Sequence, residues 1–310
     1  MARHWTPADM PSLQGRRAVV TGANSGIGYH TALELARHGA EVTLAVRTPE
    51  RGRAAAERIR GEAGGSVVQV RALDLDSLES VRAFAEEWDG PLDLLVDNAG
   101  LMTPPRYQQT RDGLELQFGT NHLGHFALTG LLLPALLAAP AARVVVVSSI
   151  AHHHGRADVV DANPPERYKP QPAYGNSKLA NLLFAFELQR RATDAGVPLT
   201  VAAAHPGVSS TNLVTSKQGM GSMPVVRLVA PVVTRLLFQP ARAGAEPVLY
   251  AATSADPGSY TGPQRLGEWR GPVGPARMSD LARDESLAGR LWQVSEDLTG
   301  VHYDWSRGAR

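Results

Sequence analysis

Arg17-Ala-Val-Val-Thr21-Gly22-Ala-Asn-Ser-Gly26-Ile-Gly28-Tyr29-His-Thr-Ala-Leu-Glu-Leu-Ala-Arg-His-Gly39 is the stretch whose reading decides the fold. Its first five residues form a short apolar run that suits a buried strand. A glycine-rich turn follows, and Tyr29 to Gly39 has a helical pattern closed by a glycine. Strand, glycine turn and helix in that order are the context a dinucleotide phosphate site requires. Gly22, Gly26 and Gly28 carry no side chain, so backbone can approach a pyrophosphate. The helix N-terminus adds N–H groups and positive potential. The spacing is Gly-x-x-x-Gly-x-Gly rather than the commoner Gly-x-Gly-x-x-Gly. A glycine turn alone can be a plain tight turn; its place after the first strand of an α/β chain favours the binding reading.

Working outward, strands are predicted at 41–46, 67–73, 92–96, 143–147 and 199–203. Helices are predicted at 48–61, 78–88, 114–137 and 174–192. Strands alternating with helices mean βαβ units, and Val/Leu-rich strands mean a sheet covered on both faces. The expected fold is α/β: a single-domain, Rossmann-type, doubly wound parallel sheet with helices on both faces and a small substrate lid. After Pro206 the pattern loosens: 206–240 reads as a loop with short helices, and 255–277 is dense in Gly and Pro. The expected organisation is one domain over 1–310: a dinucleotide-binding core at 15–205, a substrate loop or lid at 206–262 and a C-terminal extension at 263–310.

The chain has 310 residues, a net charge of +1 and no cysteine. This balance gives no electrostatic case for nucleic acid and excludes thiol catalysis and disulfides. The start, Met1-Ala-Arg-His-Trp-Thr-Pro, lacks the apolar core of a signal peptide. Pro134, Pro140 and Arg143 divide the apolar stretch 127–147, and 223–238 is short and holds two Pro and two Arg. Neither satisfies the roughly 20-residue apolar requirement of a membrane span. A cytoplasmic protein is expected.

The second chemical signal is Pro172-Ala-Tyr174-Gly-Asn-Ser-Lys178-Leu-Ala-Asn-Leu-Leu-Phe-Ala-Phe-Glu187. Leu179, Leu182, Leu183 and Phe186 make one apolar stripe, and Tyr174 and Lys178 share a face beside it. The chain has only three lysines, Lys169, Lys178 and Lys217. A phenol beside an ammonium is a proton-transfer pair, because the cation favours phenolate and lowers a pKa that starts near 10. The plainer reading is two surface neighbours.

Thr21-Gly-Ala-Asn-Ser-Gly-Ile-Gly28, Asp97-Asn-Ala-Gly100, Asn121, Ser149, Tyr174-x-x-x-Lys178 and Pro206-Gly207 occur in the order seen in short-chain dehydrogenases/reductases, which residues 15 to about 215 resemble throughout. Asn121-His-Leu-Gly-His-Phe126 and the run around Tyr174 are similar to the retinol-dehydrogenase-like branch. The resemblance implies an oxidoreductase interconverting an alcohol and a ketone or aldehyde. Tyr174 would be the general acid/base, and Lys178 would lower its pKa and hold the nicotinamide ribose. Ser149 would hold the carbonyl oxygen, and Asn121 would anchor a water linking Lys178 to solvent. Gly22, Asn24, Ser25, Gly26, Ile27 and Gly28 would cradle the pyrophosphate, Asp74 and Leu75 the adenine, and Asn98, Ala99 and Gly100 the cofactor's middle. Pro206, Gly207, Val208 and Thr211 would line the nicotinamide amide. Asp97 stands where the family has Asn.

Residues 152–171 read as an inserted loop. Its His152-His-His154 triplet, an exposed run without further ligands, is not read as a metal site. Cofactor choice turns on the end of the second strand, where Arg47 replaces the carboxylate that favours NAD and can pair with a 2′-phosphate. NADP(H) is expected over NAD(H). Leu101 to Pro105 and 220–238 would form an apolar pocket for a small carbonyl or alcohol. Helices 122–137 and 174–192 pair subunits in many relatives, so a homodimer or homotetramer is open. The rival readings are a non-catalytic NADP(H)-binding sensor and an extended-type epimerase or dehydratase; the latter usually carries Gly-x-x-Gly-x-x-Gly.

Overall fold

The computed structural model describes residues 4–208 and 239–308. Its strands are β1 (Arg17–Thr21), β2 (Glu41–Val46), β3 (Val68–Ala72), β4 (Leu94–Asp97), β5 (Ala142–Val147), β6 (Leu199–Ala204), β7 (Tyr260–Arg265) and β8 (Arg270–Pro275). They form one sheet in the order β3-β2-β1-β4-β5-β6-β7-β8. All neighbours pair parallel except β7 and β8, which are antiparallel. The chain runs outward from β1 to β3, then returns to β4 on the other side of β1. That reversal opens a crevice at the carboxyl ends of β1 and β4, where ligands lie in open α/β sheets.

Helices α1 (Gly26–Arg37), α2 (Pro49–Glu62) and α7 (Ala241–Thr253) pack on one face. Helices α3 (Leu78–Glu86), α5 (Gly124–Leu137), α6 (Pro170–Asp194) and α8 (Glu285–Thr299) pack on the other. Alternation along each strand feeds the two cores: Val144 and Val146 join one, and Val145 and Val147 the other. Strands buried on both faces must be apolar throughout, which is why β1, β4, β5 and β6 read as Val, Leu and Ala runs.

The predicted helix over 114–137 is broken: α4 (Leu116–Phe118) passes through a wide π turn at Gly119–Leu123 into α5. The predicted helix at 174 starts earlier, at Pro170, because Pro170 and Pro172 tolerate the first turn, where backbone N–H groups lack partners anyway. The inserted loop folds into 3₁₀ turns at Ile150–His154, Ala157–Asp161 and Pro165–Arg167.

The Gly- and Pro-rich stretch after 255, read as an appendage, instead supplies β7 and β8 and extends the sheet. The 262/263 boundary falls inside β7. Its Pro263 and Pro275 sit at the sheet's far end, where a missing N–H is tolerated.

Much of the α5/α6 face is occupied by the chain itself. Helix α8 lies along α6, and the Tyr303 hydroxyl donates to the Phe126 carbonyl at 2.7 Å. Trp292 packs edge-on against Phe126, and Arg191 lies over its indole. Gly130 makes room for this seal: a Cβ there would lie 2.7 Å from both Tyr303 and Val301. Gly130→Val is therefore expected to destabilise the fold by about 1–3 kcal/mol, read as a lowered Tm. Among the described residues, no helix is long and apolar enough to cross a membrane.

Candidate active site

The glycine turn lies at the crevice. Gly22 and Gly26 have φ of +66° and +59°, a left-handed backbone that a side chain disfavours. A Cβ on Gly22 would lie 3.0 Å from Ala99, and one on Gly28 would lie 2.5 Å from the Asn98 amide and 2.8 Å from the Gly22 carbonyl. The turn is thus packed against the strand β4 exit with no space to spare. Ser25, the N-cap of α1, makes no side-chain capping bond. The first-turn N–H groups of α1 are the type of donor that holds a phosphate.

Thr21 ties the turn to β4. Its hydroxyl oxygen accepts the Asn98 and Ala99 N–H groups, both at 2.9 Å, and the Asn98 amide donates to the Thr21 carbonyl at 2.7 Å. These contacts set Asn98-Ala-Gly100 as the floor of the crevice. A Cβ on Gly100 would meet Asn121 Oδ1 at 3.0 Å and Lys178 Nζ at 3.7 Å, so glycine keeps this floor thin. Asp74 accepts from Arg111 at 3.3 Å, and Leu75 packs on Gly124 of α5. Arg47 is exposed just past β2, near enough to Asp76 to oppose the burial that raises that carboxyl. The described residues thus include a tight glycine turn, N–H groups at a helix start and a basic residue at the end of β2, features that suit a dinucleotide.

The chemistry-bearing side chains meet where β4, β5 and α6 converge. Asn121 is fully buried; its Oδ1 accepts the Leu101 N–H at 2.8 Å, and its Nδ2 donates to the Leu101 carbonyl and to Ser177 Oγ, each at 2.9 Å. Ser177 donates in turn to the Tyr174 carbonyl at 2.9 Å. Lys178 Nζ donates to the Val147 carbonyl at 3.1 Å and lies 6.0 Å from the Tyr174 ring centre. Ser149 follows β5 directly and caps the 3₁₀ turn, accepting from Ala151 N–H at 3.1 Å.

The expected lowering of the Tyr174 pKa by Lys178 is not what this arrangement produces. Burial pushes the phenol up to about 12, with the neighbouring Ser149 side chain pulling the other way. Burial also pushes Lys178 down to about 8. Both groups are buried, and desolvation penalises the charged form of each.

Of the remaining expected residues, Pro206, Gly207 and Val208 follow β6 at the same end of the sheet, and Thr211 lies outside the described residues, as does 220–238. The histidine triplet is not uniformly exposed: His152 is buried, with Nδ1 donating to the Ser149 carbonyl at 2.7 Å and Nε2 accepting from Ser279 N–H at 3.2 Å.

His125 was not singled out from sequence. The π turn lets its Nδ1 reach the Asn121 carbonyl at 3.0 Å, while Nε2 accepts from the Thr21 hydroxyl at 2.9 Å. This tautomer is assigned from the partners. Burial holds His125 neutral, its pKa down to about 4. The ring thus links Thr21, the last residue of β1, to the Asn121 backbone. Its only signal in the chain is the second His of Asn121-His-Leu-Gly-His.

This doubly wound sheet, with a glycine turn at its crevice and buried Tyr174, Lys178 and Asn121 beside a half-buried Ser149, has the architecture of a dinucleotide-binding fold. The sequence model of the short chain dehydrogenase family matches residues 16–220, and the chain belongs to that family. Within it the chain falls in the retinol-dehydrogenase-like branch. It is 42% identical to retinol dehydrogenase 13 of Homo sapiens over 294 residues, 94% of this chain and 86% of that protein. It is 44% identical to dehydrogenase/reductase SDR family member 13 of Bos taurus, covering 94% of this chain and 75% of that protein. A crystal structure of an uncharacterized protein from Mycobacterium paratuberculosis superposes with a TM-score of 0.81 at 46% identity, over 97% of this chain and 100% of that one. A Shigella flexneri short chain dehydrogenase complexed with NADP gives a TM-score of 0.63 at 25% identity, over 81% of this chain and 98% of that one.

Proposed function

We propose that the protein is an NADP(H)-dependent oxidoreductase that interconverts an alcohol and a ketone or aldehyde on an apolar small molecule. The observation that carries the reading is the grouping of Asn121, Ser149, Tyr174 and Lys178 beside the glycine turn. A bound nicotinamide dinucleotide supplies the hydride chemistry. Gly22, Asn24, Ser25, Gly26, Ile27 and Gly28 hold its pyrophosphate, and Asp74 and Leu75 its adenine side. Asn98, Ala99 and Gly100 hold its middle, and Pro206, Gly207, Val208 and Thr211 its nicotinamide end.

Ser149 orients the carbonyl oxygen, and Tyr174 gives that oxygen a proton. Burial keeps the phenol protonated near neutral pH, which is the form carbonyl reduction needs. Lys178 holds the ribose, and Asn121 fixes the backbone at Leu101 on the crevice floor. NADPH consumption by the purified protein against a panel of apolar aldehydes and ketones tests the reading; no consumption with any of them rejects it in favour of a cofactor-binding protein without turnover.

Cofactor preference rests on Arg47. Its guanidinium suits a 2′-phosphate, whereas a carboxylate at that position accepts a 2′-hydroxyl. Arg47→Asp is expected to move the NADPH/NADH ratio of kcat/KM toward NADH by about tenfold or more, since a charge-assisted contact is lost and a like-charge one gained. An unchanged ratio in steady-state assays with both cofactors removes Arg47 from the specificity argument.

A further inference from the structure

The turn between β7 and β8 is strained and carries a buried carboxylate. Leu266 and Glu268 have φ of +53° and +69°, a left-handed backbone unfavourable to any residue with a side chain. Glu268 is nevertheless only 8% exposed. Its Oε1 accepts the Arg277 N–H at 2.9 Å, and its Oε2 lies 3.3 Å from His205 Nε2. Observed strain at a buried polar side chain points to a role the surroundings enforce.

His205 is the residue between β6 and Pro206, and it is fully buried. Gly207 N–H donates to its Nδ1 at 3.2 Å, which leaves the ring proton on Nε2, facing Glu268. The Nε2–H approach to the carboxylate is off-line, so the contact is a charge–dipole one rather than an aligned hydrogen bond. Gly262 leaves the space the ring fills: a Cβ there would collide with His205 Nε2. The ring also packs on Tyr260, with centres 5.3 Å apart, and Tyr260 meets His152 edge-on at 5.6 Å. His152 in turn bonds the Ser149 carbonyl.

The same turn grips the segment after His205 through its backbone. Val208 N–H donates to the Trp269 carbonyl at 3.0 Å. Gly207, at φ +64°, approaches that carbonyl so closely that a Cβ would lie 2.4 Å from it. Pro206-Gly-Val208 is thus held from one side by residues 268 and 269. Gln239 holds it from the other, with its N–H donating to the Val208 carbonyl at 3.0 Å.

We propose that Glu268 is a positioning residue: through His205 and the turn that carries it, it fixes Pro206-Gly-Val208 at the nicotinamide end of the crevice. The β7–β8 hairpin is then the part of the fold that sets the height of this segment above Ser149 and Tyr174. Glu268 touches neither substrate nor cofactor in this role. The part concerning cofactor rests on the dinucleotide reading above; the part concerning the segment does not.

Amide hydrogen exchange on the full-length protein, without cofactor, tests the positional claim. Glu268→Gln keeps the shape of the side chain and an acceptor for Arg277 N–H but removes the charge. It is expected to speed exchange at Gly207 and Val208 by about tenfold or more, with the amides of β1 and β4 unchanged. Glu268→Gly, which suits the left-handed backbone, is expected to give the same local loss without a lower Tm.

In binding and steady-state assays, Glu268→Gln is expected to raise the NADPH Kd and KM by roughly tenfold, while kcat falls less. Combining it with His205→Gln should add little, because both act through one contact. Unchanged exchange at 207–208 in both variants overturns the proposal, as does full additivity of Glu268→Gln and His205→Gln. Faster exchange in a protein that binds no NADPH would instead reject the dinucleotide reading and leave the positional claim standing.

Discussion

Tyr174→Phe is expected to cut kcat/KM for carbonyl reduction by about a thousandfold or more, within the range a well-placed general acid contributes. The substitution removes one oxygen from a side chain that is only 7% exposed. The ring stays in its place beside Lys178 and Ser149, so the fold and the cradle around Gly22 are left alone. NADPH affinity should stay within about threefold, which separates a lost proton donor from a lost binding surface. Stopped assays of product formation with wild type and variant at matched cofactor saturation read the first quantity; fluorescence titration of NADPH reads the second. A variant retaining more than a tenth of the wild-type rate would remove Tyr174 from the chemistry. Loss of NADPH binding together with turnover would make its role structural.

The second large effect concerns stability. Asp97, at the end of β4, is 1% exposed. One carboxylate oxygen accepts from Thr129 at 2.9 Å, and the other is buried without a hydrogen-bond partner. Burial pushes its pKa up to about 8 from 3.8. The sign follows from proton counting. Between pH 4 and 8 the folded protein keeps a proton that the unfolded chain releases, so this residue's contribution falls as pH rises through that window and levels off above the folded pKa. Asp97→Asn keeps the shape and an acceptor for Thr129 but has no charge to desolvate. Its stability relative to wild type should grow between pH 5.5 and 8.5 by about 3 kcal/mol, taking 1.36 kcal/mol per pKa unit over the part of the window below pH 8. Paired denaturant titrations at the two pH values measure that difference, and an advantage independent of pH would contradict the buried-acid account.

These two residues also show what the chain discloses on its own. Tyr174 stands in a short-range pattern with Lys178, four positions apart on one helix, and such a pattern is visible in one dimension. Strands β1 to β6 were legible for a similar local reason: each is a Val-, Leu- or Ala-rich run bounded by turn residues, although β3 alternates Val with Gln69 and Arg71. The strands β7 and β8 were not. Tyr260-Thr-Gly-Pro-Gln-Arg265 and Arg270-Gly-Pro-Val-Gly-Pro275 contain the residues that normally end strands, and only their position at the far end of the sheet makes them acceptable. Helix α8 escaped notice although Leu287, Leu291, Trp292 and Ser295 make a buried stripe.

Contacts between distant segments leave no spacing to read. His125 reaches Thr21 across 104 positions, and Glu268 meets His205 across a helix, a strand and a turn. The rise of the Tyr174 pKa was hidden too, because desolvation depends on what packs around a side chain and not on its neighbour in sequence.

The order in which the chain is made gives the seal over α5 and α6 a kinetic meaning. Leu287, Leu291, Trp292, Val301 and Tyr303 emerge from the ribosome after every element they cover. Until they arrive, Phe126 and Phe184 face water or any sticky surface at hand. A nascent chain stopped near residue 280 would therefore present a bare aromatic ridge to chaperones until the covering segment emerges.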